Sequence, residues 1–561
     1  MIVIRHVLHA MSPDLVTGPA GAASGSVAGG DSSRLVRLSN ALWLLAALAM
    51  ALVGFANCGL AFVFPLELEA REGTSWLHVM ALEAHVPLYD HSRVAFLNMN
   101  HGPLDPMLKY AIHALLPFLQ PAMVTRVFVL LLPLGVFWAL FRALEKRLLA
   151  AVVCTGGLYL FLLGLTPFHF LIGRSDPAAL FFLALMLAEL DASTRKAPAR
   201  GSRFSWGILG AGLLGSAVFL INWRYLPYAV GGGLAWILEA AWDTDGKYRD
   251  RGLFLLLHLG TFALGLLVPF AAVLLGVFHG DFGLYYSHFF GFFLNDGDRV
   301  DWVWLVEAPF NFFPRDLLVA HWPAHAFLLL VGGVVLFQRR NRKLWWQFIL
   351  LRLPLLAGLW IITAYSYSLN PWGGGPYYFA PFYLFLVFLL GRWGNWSRLD
   401  HPRAGLVFLI MLLGSISWPA LLRQARLLEE NLGRARKFVI DVQRLTGGTG
   451  VYSEDLYLFE TRYDGQVIDM GDIVFQTTEQ GGYGNHGEQF KSTARRAFAR
   501  LRDTPPKFVI MGSSVRVASP VLGELVGKLY QPLLQAPPHL FANGGGGAVL
   551  YRLRPTFPAA N

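Results

Sequence analysis

Long apolar stretches alternate with short basic segments along most of the chain. The uncharged stretch from Ala41 to about Phe64 has the roughly 20 residues that a helix needs to cross a bilayer. Similar stretches recur up to residue 422 and predict a polytopic α-helical membrane protein with about eleven transmembrane helices. The predicted spans are 41–64, 121–141, 149–167, 177–191, 205–222, 226–242, 253–278, 324–338, 345–366, 377–391 and 404–421.

The basic segments between these spans predict the orientation of the protein. Cytoplasmic loops of membrane proteins are enriched in Lys and Arg, and Arg34 and Arg37 precede the first span. The N-terminus is therefore predicted to be cytoplasmic, and an odd number of spans places the C-terminus outside. The basic segments that fall on the cytoplasmic side are 142–147, 194–203, 247–251, 339–343 and 392–403.

The two ends of the chain differ in composition from the apolar middle. Residues 1–40 are rich in Gly, Ala and Ser and predict a disordered cytoplasmic tail, followed by a transmembrane domain over 41–422. Residues 423–561 predict a small external α/β domain that begins with an amphipathic helix. Its predicted strands lie within 451–459, 507–512 and 548–555, and a further helix is predicted over 491–502.

Composition supports a membrane protein and excludes several other classes. Of the residues, 55% are hydrophobic and the mean hydropathy is +0.48. The formal charge of +10 falls in the loop segments rather than on one basic face, so it indicates membrane orientation and not nucleic-acid binding. Cys58 and Cys154 both lie in apolar stretches, which gives no support to a disulfide framework or a thiolate metal site.

The first external loop, residues 63–120, concentrates polar chemistry beside the membrane. Glu67, Glu69 and Glu72 directly follow the first span, where carboxylates are unfavourable unless they are solvated or paired. A carboxylate in a partly dry cavity can take the proton from a sugar hydroxyl as the hydroxyl attacks. The alternative is that the three carboxylates lie in the lipid headgroup layer. Two interfacial helices are predicted in this loop, beginning at Glu72 and at Pro103.

The helix that begins at Pro103 carries Asp105, Lys109 and His113 at four-residue spacing on its polar side. This trio is either a solvated face with a weak ion pair or part of a site, and the sequence leaves both possibilities open.

Arg174-Ser175-Asp176 stands at the external mouth of two predicted spans. An arginine can bind phosphate with its planar guanidinium, and Asp176 could cap the following helix or orient Arg174. An interfacial arginine beside a capping aspartate is the structural alternative. Arg126 and Arg224 are similar candidates with weaker support. The aromatic segment 279–322, which includes Tyr285, predicts a membrane-interface belt in preference to a lipid-contacting lid.

Several phrases together resemble a known enzyme family. EGTSWLHVMALEAHVPLYD, NHGPLDPMLKY, GRSDPAALFFLALML and PYYFAPFYLFLVFLLGRW, in this order, are similar to bacterial glycosyltransferases of the C-type membrane fold. More narrowly, they resemble the family-39-like group related to dolichyl-phosphate-mannose-protein mannosyltransferases, which includes the lipid A aminoarabinose transferases. VYSEDLYLFETRYDGQVIDMGDIVF is similar to the small external domain that many bacterial members carry.

The resemblance implies a reaction and a location. In that group an Asp-Glu pair of the first external loop supplies a catalytic carboxylate, which corresponds to Glu72 here. Arg71 replaces the Asp, so the base is open between Glu72 and Glu69. The implied reaction moves a sugar, with inversion, from a polyprenyl-phosphate donor to a lipid, glycan or protein acceptor at the external face of the bacterial plasma membrane. A divalent metal is left undecided.

The residues that the sequence and the resemblance nominate fall into two further groups. The predicted ligands of the donor phosphate are Arg174, Lys109, His101 and Arg126. The predicted substrate contacts are Tyr89, Asn100, Asp105, Asp176 and Tyr285.

Other functions compete with this prediction. A transporter or lipid flippase would place charged or helix-breaking residues at the midplane of several spans, whereas the polar residues here gather at one surface. A membrane-anchored scaffold would leave the acidic first loop without a purpose. An oligosaccharide ligase or polymerase of the same fold differs only in its donor. No metal-binding His-Glu-x-x-His or paired-Cys motif is present.

Overall fold

A computed structural model gives the fold of the chain. It is mostly helical, with a small β-sheet near the C-terminus. The described residues are 29–68, 72–88, 102–144, 146–165, 168–200, 204–242, 248–286, 348–368, 376–393, 402–449, 451–453, 501–512, 520–537 and 547–556.

The helices follow the apolar pattern of the sequence. Those in the first half of the chain are α1 (Gly29–Phe62), α2 (Glu72–Glu83), α3 (Leu104–Leu115), α4 (Pro121–Thr125), α5 (Val127–Ala143), α6 (Leu148–Leu165), α7 (Ser175–Arg200), α8 (Trp206–Ile221), α9 (Leu226–Trp242), α10 (Tyr248–Gly276) and α11 (Phe282–Tyr286). Those in the second half are α12 (Leu353–Ser368), α13 (Ala380–Trp393), α14 (Pro402–Gly414), α15 (Trp418–Thr446) and α16 (Pro520–Leu529). Short 3₁₀ turns occur at His169–Leu171, Trp223–Tyr225 and Pro376–Phe379, and a π turn at Phe348–Arg352.

Several of these helices are long and apolar enough to cross a membrane, which confirms the predicted class of helical membrane protein. Within the described residues they are Arg34–Phe62, Pro121–Ala143, Leu148–Leu165, Ser175–Arg195 and Arg251–Gly276. The pair α14 and α15 meets the same criteria together but is bent by 52°. Every predicted span overlaps a described helix except 324–338, which lies outside the described residues, so the number of eleven spans stays a prediction.

The first helix begins earlier than the sequence predicts. The tail was expected to stay disordered up to residue 40, but α1 already starts at Gly29. Its first turns carry Arg34 and Arg37 ahead of the apolar part. Extending an existing helix by one residue is far easier than nucleating one, so the long apolar segment can carry the helix into its polar flank.

Close contacts between small residues bring neighbouring helices together. A Cβ atom on Gly212 of α8 would lie 2.4 Å from the carbonyl oxygen of Phe262 in α10. Likewise, a Cβ atom on Gly265 would lie 2.5 Å from the carbonyl oxygen of Leu209. Because lipid provides no hydrophobic drive for helix association, such close backbone contacts contribute dispersion and polar attraction instead.

One end of the helix bundle carries the first external loop. Arg126, just before α5, contacts the end of α1 through the carbonyl oxygen of Ala61. The amide of Gly102 donates to the carbonyl oxygen of Ile221, at the end of α8, over 2.9 Å. The loop helices α2 and α3 pack on each other and on α4, and α3 also contacts α8. The predicted loop helices are therefore present, and they cover the ends of several bundle helices.

The C-terminal region contains a four-stranded sheet. Its strands are β1 (Tyr452–Ser453), β2 (Phe508–Met511), β3 (Tyr530–Gln535) and β4 (Val549–Leu553), in the order β1-β2-β4-β3. β1 is parallel to β2, whereas β4 is antiparallel to both β2 and β3.

Three of the four strands fall in predicted strand segments, and β3 is the one that the sequence pattern missed. β3 contains Pro532, and its register with β4 shifts between Pro532 and Leu534. The strand begins directly after α16. Proline is tolerated at a sheet edge because the missing N–H faces away from the ladder, so the propensity signal for this strand is weak. The external location of this domain stays a prediction.

Candidate functional site

Glu72 and Arg126 form a buried ion pair at the end of the bundle. Arg126 Nε donates to Glu72 Oε1 at 2.5 Å, and Arg126 Nη2 donates to Glu72 Oε2 at 2.6 Å. The amide of Gly173 donates to Oε1 at 2.5 Å, and the amide of Leu68 donates to Oε2 at 2.9 Å. Both side chains have no solvent exposure. The carboxylate thus accepts four hydrogen bonds from the protein itself.

The remaining donors of Arg126 are also used within the protein. Nη1 donates to the carbonyl oxygens of Ala61 and Phe64, both at 2.6 Å, and Nη2 donates to that of Leu66 at 2.7 Å. A guanidinium has five N–H groups, so these contacts and the pair with Glu72 account for all of them. The contacts favour a structural role for both residues. The predicted catalytic role of Glu72 and phosphate-binding role of Arg126 stay predictions that this geometry does not favour.

Lys109 makes a second buried ion pair. Its Nζ donates to Asp105 Oδ2, Ser75 Oγ and the carbonyl oxygen of Gly173, each at 2.7 Å. Lys109 has no exposed surface and Asp105 is 4% exposed, so the solvated-face alternative for this helix is wrong. An ammonium group has three N–H donors, and all three are used here. The predicted phosphate contact of Lys109 and substrate contact of Asp105 are therefore not favoured by the geometry.

Asp176, in the first turn of α7, lies at the centre of a third polar cluster. Its Oδ1 accepts hydrogen bonds from the Tyr225 hydroxyl at 3.1 Å and from Asn222 Nδ2 at 3.3 Å. Arg174 Nε lies 3.7 Å from Asp176 Oδ2, and Arg224 Nη2 lies 3.7 Å from Asp176 Oδ1. Asp176 is 1% exposed. The structure thus joins the predicted Arg174 and Asp176 with Arg224 from the turn after α8.

The ionisation of the side chains around Asp176 at neutral pH follows from their burial. His169 Nε2 lies 3.4 Å from Asp176 Oδ2, but burial lowers the pKa of His169 to about 4, so the ring is neutral at pH 7. Burial also raises the pKa of Tyr225, which keeps its hydroxyl protonated. The guanidinium groups of Arg174 and Arg224 thus both face the carboxylate of Asp176. A guanidinium can bind a phosphate as well as a carboxylate.

A small, partly open cleft lies beside this cluster. The guanidinium carbon of Arg224 lies 4.7 Å from the centre of the Tyr378 ring, and the hydroxyls of Tyr228 and Thr363 share a hydrogen bond. The walls of the cleft include Asp176, Arg224, Tyr225, Tyr228, Thr363 and Tyr378. The arginine can bind a phosphate oxygen, and hydroxyl groups and aromatic rings are side chains that contact sugars.

Among the described residues, the predicted substrate contact Tyr285 does not line this cleft. Tyr285 is 3% exposed and packs in an apolar cluster with Phe278 and Phe219, under the first external loop, so its predicted substrate contact stays a prediction. The predicted site residues that lie outside the described part of the chain are Glu69, Tyr89, Asn100 and His101. Within the described ranges, no group of three or more His, Cys, Asp or Glu residues is arranged to hold a metal ion.

Sequence reasoning missed most of the cleft and undervalued Arg224. Asn222 and Arg224 both stand in NWRYLP, the short polar interruption between two apolar stretches, and this interruption was the available signal. Tyr378 belongs to the segment before α13 that is predicted to be external, and Tyr228 and Thr363 lie within apolar stretches. Nothing in their local sequence distinguishes Tyr228 and Thr363 from core residues.

The fold and the site define a helical membrane protein with a buried cluster of two arginines and an aspartate at one end of its bundle. No family model matches the chain, and no curated protein matches it. Among solved structures, the chain is similar to the crystal structure of the Archaeoglobus fulgidus oligosaccharyltransferase in complex with Zn and sulfate. The TM-score is 0.40 and the sequence identity is 12%, over 90% of this chain and 72% of that chain.

Proposed function

We propose that the protein transfers a sugar from a polyprenyl-phosphate donor to a lipid, glycan or protein acceptor at the external face of the membrane, with inversion at the anomeric carbon. The observation that carries this proposal is the buried cluster of Asp176, Arg174 and Arg224, of which Asp176 and Arg224 border the cleft. The location supports it as well, because the cleft lies at the ends of apolar helices, where a polyprenyl chain can remain in lipid. The resemblance in sequence motifs points to the same reaction.

In this proposal Arg224 binds the donor phosphate. It borders the cleft, its side chain is 11% exposed, and the nearby Tyr225 hydroxyl adds a further polar contact. Negative charge accumulates on the phosphate as the bond to the sugar breaks, and a guanidinium fixed next to that oxygen stabilises the transition state. Asp176 orients both arginines, because its two oxygens face one guanidinium each.

The base that accepts the acceptor's proton must be able to reach the acceptor hydroxyl. Glu72 has no exposure and accepts four N–H donors, so no hydroxyl can approach it without a rearrangement of the loop. We therefore assign the base to Glu69, the alternative that the sequence already offered. Replacement of Glu69 by Gln is expected to lower kcat by about 100-fold or more, which is the usual contribution of a general base.

The test is sugar transfer in reconstituted vesicles that contain a polyprenyl-phosphate sugar. Arg224→Gln is expected to raise the donor KM by about tenfold to a hundredfold, because a charge-assisted hydrogen bond to the phosphate is lost. Arg142→Gln is the matched control. Arg142 also pairs with a carboxylate, Glu189 at 3.0 Å, and lies over an aromatic ring, that of Trp138, but it stands at the opposite end of α5 from Arg126.

Two results would contradict the proposal. One is an unchanged donor KM in Arg224→Gln, and the other is the absence of transfer by the unaltered protein from any polyprenyl-phosphate sugar. Parallel vesicles with a diphosphate-linked oligosaccharide donor distinguish the ligase or polymerase alternative, since turnover of that donor alone would move the protein into that class.

A further inference from the structure

Both backbone groups of Gly173 are held by buried side chains of the first external loop. Its amide donates to Glu72 Oε1 at 2.5 Å, and its carbonyl oxygen accepts a hydrogen bond from Lys109 Nζ at 2.7 Å. Gly173 directly precedes Arg174, Ser175 and Asp176. The segment that supplies two members of the site cluster is therefore fixed at its start by two charged groups.

Each of these two charged groups is itself fixed. Glu72 is held by the paired hydrogen bonds from Arg126, and Lys109 is held by Asp105 and Ser75. Bidentate and charge-assisted contacts of this kind are short and directional. A small movement of Gly173 would therefore break a strong contact on one side or the other.

Steric contact restricts Gly173 from a further direction. A Cβ atom at this position would lie 2.6 Å from Thr125 Cβ and 2.9 Å from the Thr125 carbonyl carbon. The backbone of residue 173 thus lies directly against the residue before Arg126. A glycine is needed here for space, because any side chain would push the segment away from α4.

We propose that Glu72 and Lys109 are positioning residues, which together form a Gly173 clamp that sets where Arg174 and Asp176 stand beside the cleft. The clamp itself is independent of the reaction, whereas its effect on sugar transfer rests on the proposed function. A misplacement of about 1 Å in groups that act on a substrate can reduce the rate by about 100-fold. Glu72 and Lys109, to which the sequence analysis gave roles in the reaction, thus serve to position Arg174 and Asp176.

Hydrogen exchange tests the clamp without any substrate. In Glu72→Gln and in Gly173→Ala, the peptide that spans residues 168–176 is expected to exchange about tenfold to a hundredfold faster, as expected for the loss of one charged hydrogen bond. Gly173→Ala leaves both charged side chains in place and perturbs the clamp from its backbone side, and exchange of the peptides outside 168–176 reports whether each variant is folded. Gly210→Ala is the matched control, because no atom lies within 4 Å of a Cβ at that position. Unchanged exchange of this peptide in both Glu72→Gln and Gly173→Ala would overturn the clamp.

A double-mutant comparison tests the link to the cluster. Glu72→Gln is expected to lower sugar transfer by about 100-fold in the otherwise unaltered protein. In an Asp176→Asn background the same change should lower it by less than about threefold, because the clamp acts through the cluster that Asp176→Asn has already disrupted. Fully additive effects would overturn the positioning role. If the unaltered protein transfers no sugar at all, the proposed function fails, and the exchange measurement still decides whether the clamp exists.

Discussion

Replacement of Arg126 by Met is expected to destabilise the protein more than any other single removal of a charge in the first-loop region. Met has a similar length and fills much of the same space, so the main loss is polar. Glu72 would keep only two of its four hydrogen bonds, those from the amides of Gly173 and Leu68. The carbonyl oxygens of Ala61, Phe64 and Leu66, which accept from Arg126, would lose this donor as well.

The magnitude follows from burial. Both members of the pair have no exposed side-chain surface, so solvent does not screen the interaction. Removal of one partner from a buried ion pair costs about 3–5 kcal/mol, because the other charge stays buried without compensation. The carbonyl groups that lose their donor act in the same direction, at up to about 1–3 kcal/mol for each one that water cannot reach. The total is a large fraction of the stability of a typical domain.

The assay is thermal unfolding of the purified protein in detergent, followed by tryptophan fluorescence and by retention on size exclusion. Arg426→Met is the control: Arg426 pairs with Glu430 at 2.6 Å, but its side chain is 79% exposed, and we expect almost no shift. In the double variant Arg126→Met with Glu72→Leu, part of the loss should be recovered, because no buried charge remains. Equal unfolding temperatures for Arg126→Met and Arg426→Met would refute the reasoning. So would a double variant whose loss of unfolding temperature equals the sum of the losses in Arg126→Met and Glu72→Leu.

Two further predictions concern pH and orientation. Because the pKa of His169 is lowered to about 4 in the folded state, the unfolded state binds one more proton between pH 6.5 and 4. The contribution of His169 to the free energy of unfolding is therefore fully present above pH 6.5 and falls by up to about 3 kcal/mol as the pH drops to 4. In His169→Asn the free energy of unfolding should depend less on pH over this range. An unchanged slope would contradict the burial of a neutral ring. For orientation, a cysteine at Leu533 of β3, which is 38% exposed, should react with an impermeant maleimide added outside the cell, whereas one at Leu148, at the start of α6, should not. Labelling of Leu148→Cys alone would reverse the predicted topology.

The elements that periodicity and length determine were predictable from the sequence. The span predicted over 226–242 coincides with α9, and the helix predicted to begin at Glu72 does begin there. In both cases the local pattern decides the outcome, since a helix satisfies its own backbone hydrogen bonds and needs only an apolar side to pack. β3 was missed because Pro532 weakens its strand propensity and because its pairing with β4 is a tertiary contact that its own sequence does not report.

The site was predictable only in part, because partners determine what a charged residue does. From sequence alone Lys109 is a predicted phosphate ligand and Arg224 is the weaker candidate. The structure separates them: Lys109 directs all three donors at Asp105, Ser75 and Gly173, whereas Arg224 borders a cleft. Lys109 and Gly173 are 64 residues apart, and no local pattern reports a contact of that separation.

These observations give a physical reason for the density of charge in the first external loop. The loop has two helices and apolar contacts of its own, and the buried ion pairs with fully used donors fix those parts of the backbone that lie outside its helices. The same pairs join α2 and α3 to the segment before α7 through one residue, Gly173. The hydrogen-bond partners of a charged residue in this loop therefore indicate its role better than an assumed contact with substrate does. By that criterion Glu72, Arg126 and Lys109 hold the segment before α7, whereas Arg224 is a candidate site residue because it borders the cleft.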